Sequence, residues 1–234
     1  MSGELTKKSG LVYLGVFLCV LCAVATALMG TVSVITKKPI EEAKSRKVAE
    51  GLKIVLPEFD NDPMETVQSF EGGKIYTAEK DGAIVGYAVE ASSGIGYGGK
   101  VSGLIGYLPD GSIRTFIITT HNETPGLGTK VTDRIRQRTI FDIIQGTEVN
   151  SSLPPNPILD QFAGRKLLLS GDAASASGAA APWSVKKDGG DLDFVSGATI
   201  SSRAAADLAW RASTALAAQL AETATTPTTL PEEH

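Results

Sequence analysis

The pattern of hydrophobic and polar positions divides the chain into an apolar N-terminal segment and a mixed remainder. Residues 11–36 contain no charged side chain, and a helix of that length, about 39 Å, exceeds the roughly 30 Å hydrocarbon core of a bilayer. We therefore expect residues 1–10 to form a tail, residues 11–36 a transmembrane helix and residues 37–57 a connecting helix that ends at Pro57. The apolar run is too long for a typical signal peptide, although Ala25-Thr26-Ala27 leaves cleavage open as an alternative.

Residues 58–222 carry the pattern of one α+β domain. Residues 83–90 alternate and residues 113–119 are β-branched, so both are predicted strands, with a third in the glycine-rich segment 96–108. Residues 109–112, Pro-Asp-Gly-Ser, predict a hairpin turn. The strongest helical pattern covers residues 201–222, with Ser201 or Ser202 as its N-cap. Together these elements predict a twisted antiparallel sheet flanked by helices.

The intervening segments have weaker patterns. They predict a short helix over residues 136–145, a surface loop over 151–157, a strand over 167–169, a low-complexity linker over 172–182 and a disordered tail over 223–234.

Composition and charge exclude several classes of function. The formal net charge is -4, so no basic surface for nucleic acid is expected. Both cysteines, Cys19 and Cys22, lie in the apolar segment, where we interpret them as packing residues rather than a redox or cluster-binding pair. Since His121 and His234 are the only histidines, we expect no Cys/His metal site in the soluble part.

Charges on the two sides of the apolar segment give conflicting information about its orientation. Lys7 and Lys8 precede the segment, and residues 37–47 after it contain five lysines and arginines mixed with Glu41 and Glu42. The positive-inside rule alone would place the large domain in the cytoplasm. The mixed charges after the segment are, however, also typical of an amphipathic helix that continues out of the membrane, although acidic residues count little in that rule. The charge pattern therefore leaves the orientation open.

A first candidate site is the segment Asp-Phe-Val-Ser-Gly-Ala-Thr at residues 193–199, directly before the predicted final helix. The first N-H groups of a helix are unpaired and attract anions, and Gly197 and Ala198 leave room for a bulky group near Thr199. The alternative is a capped helix that follows a tight glycine turn.

A second candidate is the run His-Asn-Glu-Thr-Pro-Gly-Leu-Gly-Thr-Lys at residues 121–130, after a predicted strand. Its glycines and proline predict an unusual loop whose backbone and Leu127 lie against a flat ligand, with hydrogen bonds from Glu123 and Thr124. The alternative is a rigid turn in which Glu123 caps the next segment.

Two other motifs are weaker. Residues 94–99, Gly-Ile-Gly-Tyr-Gly-Gly, resemble a dinucleotide fingerprint but open a predicted strand, so we interpret the glycines as bends or close packing and Tyr97 as a packed aromatic residue. A membrane-anchored serine hydrolase using Ser196 and His121 is disfavoured, because the chain has no nucleophile-elbow motif.

Taken together, the motifs resemble the flavin-binding G subunit of the Rnf electron-transport complex and, more distantly, the C subunit of the sodium-pumping NADH:quinone reductase. The resemblance rests on Gly-Tyr-Gly-Gly, on His-Asn-Glu-Thr-Pro-Gly-Leu-Gly, on Phe-Ala-Gly-Arg-Lys-Leu at residues 162–167 and on Asp-x-x-Ser-Gly-Ala-Thr before a final helix. In that family the last motif directs a flavin transferase to join the phosphate of FMN to the threonine hydroxyl, here that of Thr199.

The resemblance also implies the residues around the cofactor. They are the neighbours of the attachment site and the loop that contacts the flavin. On electrostatic grounds a lysine, Lys186 or Lys187, would add a counter-charge to the phosphate, and we predict Lys186; the alternative is that both lysines are only solvated. The predicted FMN-binding residues are Thr199, Ser196, Gly197, Ala198, Ser201, Glu123, Thr124, Gly126, Leu127, Gly128 and Lys186.

The function implied by the resemblance is that of an electron-transfer subunit without catalytic or metal-binding residues of its own. It would be a single-pass protein of the cytoplasmic (inner) membrane with its flavin domain on the outer side, and its partners would be the other membrane and soluble subunits of the complex. A threonine hydroxyl is a poor nucleophile without an activating group, so attachment implies a separate Mg-dependent transferase that uses FAD. Alternatives are a flavin-free extracytoplasmic binding or scaffold domain and a C subunit of the sodium-pumping enzyme.

Overall fold

A computed structural model describes residues 2–134, 153–167 and 183–225. The first element, α1, is one continuous α-helix, Ser2–Val55. It already includes residues 2–10, which the sequence analysis assigned to a tail, because no proline or glycine run interrupts the helix there. The helix ends two residues before Pro57, which cannot donate a backbone hydrogen bond and disfavours helical conformation in the residue before it.

Much of α1 has the properties of a membrane segment. By length and composition, the described residues contain one helix that is able to cross a membrane, Tyr13–Val55, and its apolar 18-residue window has a mean hydropathy of 2.4. Its threonine hydroxyls are satisfied within the helix: those of Thr26, Thr31 and Thr36 each donate to the carbonyl four residues earlier, at 2.8 Å. The segment therefore fits a membrane anchor.

The globular domain is built on a five-stranded antiparallel meander in the order β1-β2-β3-β4-β5, which confirms the predicted α+β class. Its strands are β1 (Gln68–Phe70), β2 (Gly73–Lys80), β3 (Ala83–Gly96), β4 (Gly99–Tyr107) and β5 (Ile113–Thr120). The hydrophobic pattern of the sequence predicted β3, β4 and β5 but not β1 and β2.

The strands are joined by short turns. Residues 109–112 form the predicted turn between β4 and β5, and Gly111 adopts the positive φ of 79° that the turn needs. Residues 97–98 connect β3 to β4. The glycine-rich motif is therefore the tip of a hairpin and not only the start of a strand.

Both faces of the sheet are covered by helix. One face packs on the final helix, α4 (Thr199–Thr225), whose Leu208, Ala212 and Leu216 are fully buried. The other face packs on the last turns of α1 through Leu52, Val55 and Leu56. The compact unit accordingly begins at Val48 rather than at residue 58, where the sequence analysis placed the domain boundary.

Specific polar contacts hold the helices on the sheet. The hydroxyl of Tyr107 in β4 lies 2.8 Å from Ser213 Oγ of α4, and burial raises the pKa of Tyr107 well above its usual value. Ser93 of β3 donates to Asp207 of α4 at 2.6 Å. On the opposite face Arg114 Nη1 donates to the carbonyl oxygen of Ile54 at 2.8 Å and so closes the end of α1.

Short elements complete the domain. They are α2 (Thr129–Thr132), α3 (Pro157–Asp160) and a 3-10 turn (Lys186–Asp188). Residues 153–156 do not form the simple surface loop that was predicted, because Asn156 is buried, caps α3 and donates to the carbonyl of Val131. The predictions for residues 136–145, 168–169, 172–182 and 226–234 lie outside the described residues.

Candidate functional site

The site is a cavity of about 560 Å³ at one end of the sheet. Four segments converge there: the turn between β3 and β4, the loop between β5 and α2, the 3-10 turn Lys186–Asp188 and the start of α4. The cavity is lined by Tyr97, Glu123, Thr124, Leu127, Gly128, Lys187, Gly197, Ala198, Thr199, Ile200, Ser201 and Arg203. The two candidate motifs of the sequence are therefore neighbours in space.

Helix α4 begins earlier than predicted. Its first residue is Thr199, and its first backbone hydrogen bond runs from Ser202 N to Ala198 O at 3.0 Å. Ser201 and Ser202 consequently lie inside the first turn, and the prediction that either is the N-cap is wrong. The Ser202 hydroxyl does not accept from an N-H group later in the helix, as an N-cap would. It accepts from Val195 N and donates to Ala198 O, and both residues precede the helix.

The hydroxyl of Thr199 is available for chemistry. It makes no hydrogen bond to any residue in the described ranges, and its side chain is half-buried on the cavity wall. The N-H groups of Thr199, Ile200 and Ser201 precede the first intrahelical bond, so they point out of the helix start without an intrahelical acceptor. An anion bonded to this hydroxyl would lie at the positive end of the helix dipole.

Glu123 connects three of the four segments that form the cavity. The carboxyl group is almost fully buried, at 5% exposure. Its Oε2 accepts from Ser201 Oγ of α4 at 2.5 Å, and its Oε1 accepts from the N-H of Gly98 in the β3-β4 turn at 3.4 Å. Glu123 is therefore a bridge between segments rather than a cap for the residues that follow it.

The loop between β5 and α2 is a closed turn. Thr124 O accepts from the backbone N-H groups of Leu127 and Thr129, and Gly126 N donates to Thr129 Oγ1 at 2.8 Å. This arrangement leaves the Leu127 side chain 44% exposed at the cavity. Gly126, which was predicted to contact the cofactor, adopts a positive φ of 78° in the turn but does not line the cavity.

His121 supports the same loop. Its Nδ1 accepts from Glu123 N at 3.3 Å, and its Nε2 lies 2.7 Å from Asp133 Oδ1. Both ring nitrogens are thus engaged within the loop, and neither contacts Ser196, which lies exposed in the turn before α4 and outside the cavity lining. The described residues offer no Ser/His pair for hydrolysis.

The cationic side of the cavity differs from the prediction. Lys186 does not line the cavity, and its Nζ lies 2.5 Å from Asp193 Oδ1. Lys187 and Arg203 line it instead. Arg203 pairs with Asp188 through two hydrogen bonds of 2.7 and 2.6 Å, and this pairing lowers the pKa of the Asp188 carboxyl.

Four lining residues were absent from the predicted set: Tyr97, Lys187, Ile200 and Arg203. The presence of Arg203 at the site could have been predicted, because it lies four residues after Thr199 and so shares the same face of the helix. Tyr97 was interpreted as packed, whereas it is 70% exposed. Its position at the cavity depends on the β3-β4 turn meeting the loop after β5, a contact between distant parts of the sequence.

Comparison with known proteins identifies the class to which this fold and site belong. The FMN-binding domain family matches residues 96–214, which include both candidate motifs. The chain belongs to that family of FMN-binding domains.

Its relatives include individual proteins that share most of its length. The chain is 32% identical over 209 residues to the G subunit of the ion-translocating oxidoreductase complex of Haemophilus influenzae (strain PittEE), covering 86% of this chain and 85% of the relative. It is 30% identical over 207 residues to the G subunit of Escherichia coli (strain K12), covering 85% and 87%, and 30% over 204 residues to that of Cereibacter sphaeroides (strain ATCC 17023), covering 84% and 80%. The resemblance to the G subunits is thereby confirmed.

Proposed function

We propose that the chain is a membrane-anchored electron-transfer subunit that carries FMN on Thr199 through a phosphoester bond. The observation that carries the proposal is the position of the Thr199 hydroxyl, which has no hydrogen-bond partner among the described residues and lies on the same cavity as the Glu-Thr-Pro-Gly-Leu-Gly loop.

The cavity fits FMN in both its size and its lining residues. Its volume, about 560 Å³, falls within the range of roughly 300–1,000 Å³ that is common for cofactor sites. Lys187, Arg203 and the first N-H groups of α4 suit a phosphate, and the exposed side chains of Tyr97 and Leu127 suit a flat apolar ring. The cavity therefore has a polar side and an apolar side, as FMN has.

FMN, when bound, supplies reversible acceptance of one or two electrons. The work of the protein is then to hold and orient the cofactor. The bridge made by Glu123 fixes the loop and the start of α4 relative to each other. A covalent bond retains the cofactor in both oxidation states, which suits an electron carrier.

Attachment requires a second protein, a flavin transferase. The transfer forms a bond between Thr199 Oγ and the flavin-side phosphorus of FAD, breaks the pyrophosphate bond and releases AMP, while the hydroxyl proton passes to a base. No described group in hydrogen-bond contact with the Thr199 hydroxyl serves as that base, so the transferase and its Mg²⁺ must supply the activation.

The names of the relatives support a place in a larger assembly. We propose that the chain is part of an Rnf-type ferredoxin:NAD oxidoreductase complex that translocates ions, anchored by α1 in the cytoplasmic membrane with the flavin domain on the outer side. The membrane and soluble subunits of that complex are its proposed partners. The single apolar helix near the N-terminus is compatible with this arrangement.

The side of the membrane on which the flavin domain lies can be tested with reporter fusions. A reporter enzyme that is active only outside the cytoplasm, fused after His234, is expected to be active, and one active only in the cytoplasm is expected to be silent. The reverse result would place the domain in the cytoplasm, in agreement with the charge distribution around α1.

The covalent flavin is tested on the full chain isolated from cells that contain a flavin transferase. We expect a band that fluoresces under ultraviolet light after denaturing electrophoresis, and a flavin adduct on the peptide that contains Thr199 by mass spectrometry. Protein made without the transferase is expected to be colourless but folded. A bare polypeptide from transferase-containing cells would contradict the proposal and favour the flavin-free scaffold function.

A further inference from the structure

His121 uses both nitrogens of its ring to hold the segment between β5 and α2. Its Nδ1 accepts from the backbone N-H of Glu123 at 3.3 Å, and its Nε2 lies 2.7 Å from Asp133 Oδ1. A backbone N-H can only donate and a carboxylate can only accept, so Nδ1 must carry the lone pair and Nε2 the proton. The two contacts together therefore select the neutral ring with its proton on Nε2.

A protonated ring does not fit this arrangement. The added proton binds to Nδ1, where it faces the N-H of Glu123, and the hydrogen bond between these two groups is lost. The contact between Nε2 and Asp133 remains and gains the attraction of opposite charges. Because the His121 side chain is 23% exposed, protons reach it from the solvent. Protonation thus releases the Glu123 backbone while it strengthens the contact to Asp133.

The charged groups on the elements around the ring are few. Those on α2 and directly after it are Lys130, Asp133 and Arg134, and the neighbouring strand β4 carries Lys100. Arg134 pairs with Asp160 at 2.7 Å, and neither lysine forms an ion pair with a described residue. Within the described ranges, Asp133 is therefore the charged group that contacts the ring.

The backbone of Glu123 is packed so closely that its displacement would reach the cavity. A Cβ atom at Gly98 would lie 3.1 Å from Glu123 N, and one at Gly128 would lie 2.7 Å from Glu123 Cβ. The Glu123 carboxyl group accepts from Ser201 in the first turn of α4. Close packing of this kind transmits small displacements to neighbouring groups. The hydrogen bond made by Glu123 N thus helps to fix both the loop and the start of α4.

We propose that His121 is a positioning residue of the flavin site and makes the geometry of this site depend on pH. The neutral ring holds the Glu123 backbone in place, and the protonated ring releases it. The site is therefore ordered at alkaline pH and loses order as the pH falls through the range of about 5–8, in which histidine ordinarily changes charge. The effect on a flavin rests on the proposed function, whereas the state of the ring is a property of the chain alone.

Nuclear magnetic resonance of the ring tests the first step, with or without flavin. His121 and His234 are the only histidines, so isotope labelling of histidine in the full chain gives signals from two rings, which His234→Gln distinguishes. We expect the proton of His121 on Nε2 at alkaline pH and, on acidification, a shift of Nδ1 in step with the amide signal of Glu123. A proton on Nδ1 at alkaline pH, or a Glu123 amide that does not follow the ring, would overturn the inference.

Visible circular dichroism of the attached flavin tests the second step, because this signal arises from the asymmetric surroundings that the protein gives to a flat ring. In the flavinylated native chain the signal should fall several-fold from about pH 8 to about pH 5. His121→Asn should keep the signal high throughout, since an asparagine oxygen accepts the N-H two residues later and does not titrate in this range. His121→Ala, which has no acceptor, should give a low signal at every pH.

His234→Asn is the matched control, because it removes the other histidine and should leave the pH dependence of the native chain unchanged. A native signal that does not change with pH, or a change that persists in His121→Asn, would overturn the role of His121 and leave the covalent site intact. If His121→Ala carries too little flavin for a spectrum, the native chain and His121→Asn decide. A native chain without covalent flavin would instead contradict the proposed function, and the resonance signals of His121 and Glu123 would still test the ring.

Discussion

Replacing Thr199 with valine is expected to leave the protein without covalent flavin while the fold is unchanged. Valine matches the shape of threonine but has no hydroxyl, so no ester to phosphorus can form. The Thr199 hydroxyl makes no hydrogen bond to a described residue, and the change in the free energy of unfolding should stay within about 0.5 kcal/mol. The measurements are in-gel flavin fluorescence and intact mass, combined with a urea titration of the detergent-solubilised full chain.

Thr214→Val is the matched control on the same helix. Thr214 lies about 22 Å further along α4, outside the cavity lining, and its hydroxyl donates to the Trp210 carbonyl at 2.9 Å. This variant should carry as much covalent flavin as the native chain. Covalent flavin in Thr199→Val, or its loss in Thr214→Val, would show that the attachment depends on something other than the hydroxyl at position 199.

Replacing Glu123 with alanine is expected to destabilise the domain and to lower flavin attachment. The substitution removes a buried carboxyl group and leaves the Ser201 hydroxyl and the Gly98 N-H without the acceptor that they now share. Ser201 is buried, and an unpaired buried donor costs about 1–3 kcal/mol, whereas Gly98 is exposed and its N-H can bond to water. Because Ser201 lies two residues after Thr199, the start of α4 should also become less ordered, which lowers attachment by the transferase.

A double-mutant cycle separates this bridge from general damage. Ser201→Ala removes the donor, and in combination with Glu123→Ala it should cost less free energy of unfolding than the sum of the two single changes, by about 0.5–3 kcal/mol. Urea midpoints and flavin content of the four proteins supply the measurement. Strict additivity would mean that the contact between Glu123 and Ser201 does not contribute to stability.

The sequence allowed the later part of the sheet to be predicted but not its beginning. In β3 and β5, alternation and β-branched runs were visible, and the Pro-Asp-Gly-Ser turn marked the hairpin. In β2 the neighbours Ile75 and Tyr76 are both buried, because each face of the sheet is covered by a helix. A strand buried on both faces loses the alternation by which a strand is recognised.

The candidate site could be predicted where one motif supplied the residues and not where the fold brought them together. Glu123, Leu127 and Thr199 belong to two short motifs, and all three line the cavity. Lys186 and Lys187 are adjacent in sequence, so the sequence alone could not tell which of them lines the cavity. In the structure Lys186 pairs with Asp193, and Lys187 lines the cavity.

The last turns of α1 are part of the core, and this determines where a soluble version of the protein should begin. Leu52, Val55 and Leu56 cover one face of the sheet, where Tyr76 and Leu104 are fully buried. An expression clone begun at residue 58 would uncover that face and favour aggregation. One begun at Val48 retains the cover and lacks residues 1–47, which include the apolar stretch.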